Sequence, residues 1–202
     1  MIIIHKDFPE NQYYKQLCKK TQIVLHHTVS STATSPIDWW KQTPERVAVP
    51  FVVDKDGTIY QIYDSIYWAY HIGKGSTTQQ NKQSIGIEIV NEGILVQKTI
   101  GKDRRFFWLD GKQEYLGKVF ENSSLWRGSR FFASYTSSQY EAVRELLIEL
   151  RKEFNIPRKV ITNYEYNKSY FDFNGIVSHH NLRADKSDIS IAFDFRKIEE
   201  TV

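Results

Sequence analysis

Apolar residues along this chain fall mostly into short runs bounded by polar clusters, a pattern of buried strands more than of long amphipathic helices. Residues 22–28 read as one such strand, with Ile23-Val24-Leu25 leading into His26-His27-Thr28. Ser84-Ile85-Gly86-Ile87-Glu88-Ile89-Val90 reads as another, apolar on both faces except for one carboxylate. Between them, Val47 to Val53 and Thr58 to Tyr63 flank Asp54-Lys55-Asp56-Gly57, and Asp-Gly between β-rich runs is a strong hairpin signal. Ser35-Pro36-Ile37-Asp38 predicts a helix start, with Ser35 as cap and Pro36 in the first turn; that short helix carries Trp39 and Trp40 and stops before Pro44.

One segment breaks to a helical period. Thr136-Ser137-Ser138-Gln139 is a capping box, followed by Tyr140, Val143, Leu147, Leu150 and Phe154 at spacings of three and four. From Asn91 to about Tyr135 the pattern is irregular and aromatic-rich, with a second Asp-Gly turn at Asp110-Gly111; it predicts loops and short strands laid over the main sheet. The C-terminal stretch predicts a strand entering His179, a charged loop, and a closing helix over Ile191 to Thr201. No repeat or linker interrupts the chain. The expectation is a single α/β domain, a central mixed β-sheet flanked by helices, with a core over about 22–195 and an insertion over about 91–135.

Composition changes this picture little. A length of 202 residues fits one domain with a sizeable core. Twelve Tyr, twelve Phe and five Trp exceed what a core needs, and so many amphipathic rings suit a groove that grips sugars or peptides. The net charge of +3 is too small and scattered for a nucleic-acid footprint. Cys18 is the only cysteine, which excludes an internal disulfide and a thiolate zinc motif. No apolar run is long enough for a membrane span, and the N-terminus lacks the apolar segment of a signal peptide. A chain made in the cytoplasm and not exported by the common secretory route fits those readings.

The candidate chemistry lies in two histidine doublets, His26-His27 and His179-His180, which hold four of the six histidines. On a strand, neighbouring side chains face opposite ways, so one member of each doublet could aim at a shared point. Asp188 follows nine residues after His179, and two imidazoles with a carboxylate make the ligand set of a hydrolytic zinc. Hydrogen-bonded structural histidines are the alternative. Glu88, a carboxylate inside an apolar strand, is a candidate general base. Lys186 could stabilise an oxyanion or be a solvated loop lysine. His71 could support a ligand, contact substrate, or pack in the core.

These motifs, in order, resemble the type 2 N-acetylmuramoyl-L-alanine amidases, a family that includes phage lysozyme-type amidases and peptidoglycan recognition proteins. The matching segments are Ile23-Val24-Leu25-His26-His27-Thr28, Val47 to Tyr60, Ala69-Tyr70-His71-Ile72-Gly73, Ser84-Ile85-Gly86-Ile87-Glu88, and Gly175 to His179 with Lys186-Ser187-Asp188. The resemblance implies a zinc ion on His26, His179 and Asp188, with Glu88 activating or positioning water and Lys186 steadying the oxyanion. It implies substrate contacts at Tyr70 and His71, and hydrolysis of the amide between N-acetylmuramic acid and L-alanine in peptidoglycan or muropeptides. A peptidoglycan-binding module without catalysis is the rival reading. Two departures stand out. Val49-Pro50 occupies the place of a Tyr-His pair found in some members, and Ile189-Ser190-Ile191 stands where Pro-Gly-Pro is usual, which leaves Asp185 as an alternative third ligand.

Overall fold

The structure is a computed structural model and describes residues 2–199. In chain order it runs β1 (Ile3–His5), β2 (Gln22–His27), α1 (Thr34–Trp40), β3 (Phe51–Val53), β4 (Ile59–Gln61), α2 (Thr78–Gln83) and β5 (Ser84–Ile89). An insertion follows: β6 (Ile94–Ile100), β7 (Asp103–Trp108), β8 (Glu114–Tyr115), β9 (Val119–Trp126) and β10 (Ser129–Ala133). The chain closes with α3 (Ser137–Phe154), β11 (Gly175–Ser178), α4 (His179–Leu182) and α5 (Arg196–Glu199).

The main sheet has the order β1-β4-β3-β5-β2-β11 and is mixed, as expected. β3, β5, β2 and β11 run parallel, whereas β3 and β4 form the antiparallel hairpin around Asp54-Lys55-Asp56-Gly57. The parallel strands all end on one edge, and in open α/β sheets the carboxyl ends of such strands are where sites are built. β2 and β5 sit in the middle, which explains their apolar sequences: both faces are covered.

One face carries α3. Tyr140, Val143, Leu146, Leu147 and Leu150 pack against Ile23, Leu25, Ile85, Ile87 and Ile89, and each fully buried aliphatic contributes roughly 1.5–3 kcal/mol. The Thr136/Gln139 capping box starts α3, and Asn155 in the left-handed conformation ends it. The opposite face bears Val24, Ile72, Val177 and Leu182 in one cluster, and Ile37, Trp40, Val49 and Val52 in another. Lys20 ties this side together, its Nζ donating to the carbonyls of Tyr67, Lys82 and Ser84.

Several expectations change. The insertion is a five-stranded antiparallel sheet, β8-β7-β6-β10-β9, not loops with short strands over the main sheet. Its strands carry Arg, Lys and Glu between the aromatics and bury few side chains, so no clean alternation marks them. β1, unread in the sequence, pairs parallel with β4. α1 begins at Thr34 without a side-chain cap, one residue before Ser35. α2 has a Thr77/Gln80 capping box that the sequence reading passed over. His179 starts the short helix α4 instead of ending a strand. Only Arg196–Glu199 of the closing segment is helical among the described residues, and Thr201 lies outside them.

Candidate active site

Strand register assembles the site. His26 and Glu88 are paired neighbours across β2 and β5, and Leu25 pairs with Ser178, so the chain leaves β11 beside His26 and enters His179. Side chains alternate along a strand, which puts Val24 and His26 on the face away from α3, together with Ser84, Gly86 and Glu88. The second member of each doublet turns elsewhere. His27 reaches Tyr135 Oη at 3.0 Å on the α3 face, and His180 lies between Trp126 and Tyr164.

His26 Nδ1 lies 3.0 Å from His179 Nδ1, and Asp188 Oδ2 lies 3.2 Å and 2.8 Å from the two. Together they form a group whose ligating atoms all fall within 4.8 Å of one another. The far nitrogens are engaged as well. His179 Nε2 meets the Ile72 carbonyl at 2.7 Å, and His26 Nε2 meets His71 Nδ1 at 3.0 Å. A carbonyl only accepts, so His179 carries its proton on Nε2 and turns a bare Nδ1 toward the cluster. Asp188 is held through its own backbone, whose carbonyl accepts from His180 N at 2.7 Å. Asp185 is not part of this group: its side chain is 67% exposed and paired with Arg183.

Burial, and next the charge of His179, pulls the His26 pKa down to about 4. Burial would raise Asp188, but His179 and His26, when protonated beside it, more than offset that and hold the carboxyl well below its ordinary value. Glu88 goes the other way: burial first, then the Asp188 charge, raise it well above the ordinary carboxylate value, with Lys186 opposing. Its Oε2 is buried and has no hydrogen-bond partner among the described residues.

Lys186 sits at the mouth, where a cavity of about 150 Å³ is lined by Val47, Tyr70, His71, His179, Arg183 and Lys186. Tyr70 packs edge-on against Trp68 and Tyr14, at ring separations of 5.3 and 6.0 Å. His71, expected to contact substrate, lines this cavity with both ring nitrogens engaged. Its Nδ1 faces His26 and its Nε2 faces Ser84 Oγ at 2.8 Å, so neither ring nitrogen is left for a ligand.

Among residues the sequence reading missed, Ser84 and Gly86 share the site face of β5 with Glu88. A Cβ on Gly86 would lie 2.3 Å from Val49 Cγ1 and 3.1 Å from His71 Nδ1, so glycine is what lets Val49 pack on the strand with the His71 ring close beside it. The alternation of Ser, Gly and Glu with isoleucine was the available signal. The other missed element is the β9–β10 turn. Trp126 packs on His180 at 5.6 Å, and the Arg127 guanidinium donates to the Ala184 carbonyl, in the loop that carries Lys186 and Asp188. No sequence pattern pointed to that contact.

A family profile described as N-acetylmuramoyl-L-alanine amidase matches residues 18–190. The chain belongs to that family. No curated protein matches it in sequence. Among solved structures, it resembles the N-acetylmuramoyl-L-alanine amidase LysC from Clostridium intestinale URNW, at 16% identity and a TM-score of 0.55, covering 98% of this chain and 95% of that one. A selenomethionine derivative of AmpD gives 16% identity and 0.53, covering 98% and 94%. A mutant endolysin from Bacillus subtilis gives 20% and 0.52, covering 93% and 89%. At these identities the likeness is one of fold. Family membership, together with the His26, His179 and Asp188 group, makes this edge of the sheet the candidate active site.

The donor set suits zinc. Two imidazole nitrogens and a carboxylate oxygen are the set that leaves a hydrolytic zinc an open position.

Proposed function

We propose that this chain hydrolyses the amide between the lactyl group of N-acetylmuramic acid and L-alanine, in peptidoglycan or its fragments, with zinc held by His26, His179 and Asp188. The observation that carries this reading is the convergence of those three donors beside the Glu88 carboxylate, whose Oε2 is buried, in a chain of the amidase family. Zinc bound there supplies Lewis-acid polarisation and makes hydroxide accessible near neutral pH.

The chain's own residues do the rest. Glu88 Oε2, buried and unpartnered, takes a proton from the attacking water, and burial makes it a stronger base than an exposed carboxylate. Oxygen bonds to the carbonyl carbon, the C–N bond breaks, and the proton on Glu88 passes to the departing L-alanine nitrogen. The Lys186 ammonium, at the mouth, neutralises charge on the carbonyl oxygen as the tetrahedral state forms. The cavity beside Tyr70 and Val47 admits the chain next to the scissile bond. Endolysins among the structural neighbours are consistent with a role in wall lysis.

The test is mass spectrometry of purified muropeptides after incubation with the protein. Free peptide beginning at L-alanine is the expected product. Unchanged muropeptide that still sediments with cell wall would replace the enzyme with a binding module.

A further inference from the structure

Residues 71 and 72 touch both metal-binding histidines, one through a side chain and the other through the backbone. Proton counting along the side-chain arm starts at Ser84. Its hydroxyl has one proton, and the carbonyls of Gln80 at 2.8 Å and Asn81 at 3.3 Å can only accept. Given to one of those carbonyls, that proton leaves Ser84 Oγ to accept from His71 Nε2 at 2.8 Å, the arrangement in which the hydroxyl both donates and accepts. His71 Nδ1 is then bare and accepts from His26 Nε2 at 3.0 Å. This leaves His26 Nδ1 with a free lone pair aimed at His179 and Asp188. The backbone arm ends the same way, since the Ile72 carbonyl fixes His179 with its proton on Nε2.

The two residues are themselves held. Asn81 is buried, and its Oδ1 accepts from His71 N at 3.0 Å and Ile72 N at 3.1 Å. Its Nδ2 donates to Ser76 Oγ and the Thr77 carbonyl, which anchors it at the start of α2.

We infer that His71-Ile72, braced by Asn81 and Ser84, is a template that sets the tautomer and orientation of both metal-binding imidazoles. His71 is thus a positioning residue that acts through His26. This inference rests on the metal reading given under Proposed function. An imidazole is a less secure acceptor than a carbonyl, because it can present either an N–H or a lone pair. Ser84 is what makes His71 present the lone pair. Outer partners of metal-bound histidines typically govern affinity by about 10–100-fold.

The experiment is a zinc titration in competition with a chromophoric chelator, for the wild type and for His71→Phe, His71→Gln and Ser84→Ala. The wild type should hold one zinc per chain. His71→Phe should bind it about 10–100-fold more weakly. His71→Gln should recover most of the loss, because the amide can accept from His26 and donate to Ser84. Ser84→Ala should fall between. A second readout, long-range proton–nitrogen NMR of the histidine rings in the wild type, should show His26 protonated on Nε2, with mixed tautomers in Ser84→Ala. A wild type that takes up no zinc would overturn the metal reading itself. Zinc binding in His71→Phe within twofold of wild type would overturn the template alone. So would a proton on His26 Nδ1 in the wild type, which decides the matter even if His71→Phe fails to fold.

Discussion

Glu88 and Asp188 are two carboxylates on one site whose surroundings push them apart, one up by burial and the other down by two imidazoles. On the proposed reading, that difference fits Asp188 as the ionised ligand and Glu88 as the group that exchanges protons. Glu88→Gln keeps the shape and the zinc, and turnover should fall by about 10²–10⁴-fold. A variant with near wild-type rate and unchanged zinc content would make Glu88 structural. Asp188→Ala should lose zinc, whereas Asp185→Ala should keep it, because Asp185 points away to Arg183; metal analysis of the two purified variants separates them. The partners in each doublet matter for stability. Burial holds His27 and His180 at about 4, below the ordinary 6.5. An unfolded chain therefore binds protons that the folded chain refuses as pH falls from 6.5 to 4, and stability drops across that window, by about 3 kcal/mol or less per ring. Melting curves of chelator-treated protein at pH 7, 5.5 and 4.5 should show the decline, and a flat profile would mean that the folded chain takes up protons as readily as the unfolded one.

The β9–β10 hairpin links the insertion to the loop that carries Lys186 and Asp188. Trp126 rests on His180, Tyr164 and Phe132, with ring separations of 5.6, 6.0 and 5.8 Å. Trp126→Ala should cost about 2 kcal/mol in urea unfolding, less than a fully buried aromatic because this ring is half-exposed. It should also speed hydrogen exchange over residues 183–190. Faster exchange confined to the hairpin would show the two segments to be uncoupled. The insertion is a second sheet with its own register, in contact with the site's supporting loop. Its strands were hard to read because polar residues occupy both faces, and period-two alternation appears only where one face is dry.

The cluster joins distant parts of the chain. His26 belongs to β2, whereas His179 and Asp188 lie 153 and 162 residues later. An ion bound there crosslinks the centre of the sheet to its last strand and exists only in the folded state. Zinc at 1,000 times its dissociation constant should add about 4 kcal/mol of stability. For a chain of this size that corresponds to a rise in melting temperature of roughly 8–16 °C. Calorimetry with zinc and with chelator measures it; identical melts would leave the cluster without a metal role.

Local chemistry settled a good deal in advance. The apolar runs at 23–25 and 85–90 dictate central strands, the Asp-Gly turn dictates the β3–β4 hairpin, and the Thr136/Gln139 box dictates where α3 begins. Each depends on neighbours within a few residues, so each was written in the linear order. The residue types of the doublets, of Glu88 and of Asp188 likewise limited the chemistry to a few reactions. Residue patterns alone left open which imidazole of each doublet faces inward. The resemblance pointed to His26 and His179, and the folded chain brings those two together with Asp188 and leaves Asp185 paired with Arg183. Only the folded chain decided the inward turn of His71 toward His26 and the seating of Trp126 on the ligand loop. Those facts depend on strand register and on hydrogen-bond partners up to about 160 residues apart, and no local pattern encodes a distance between two remote atoms.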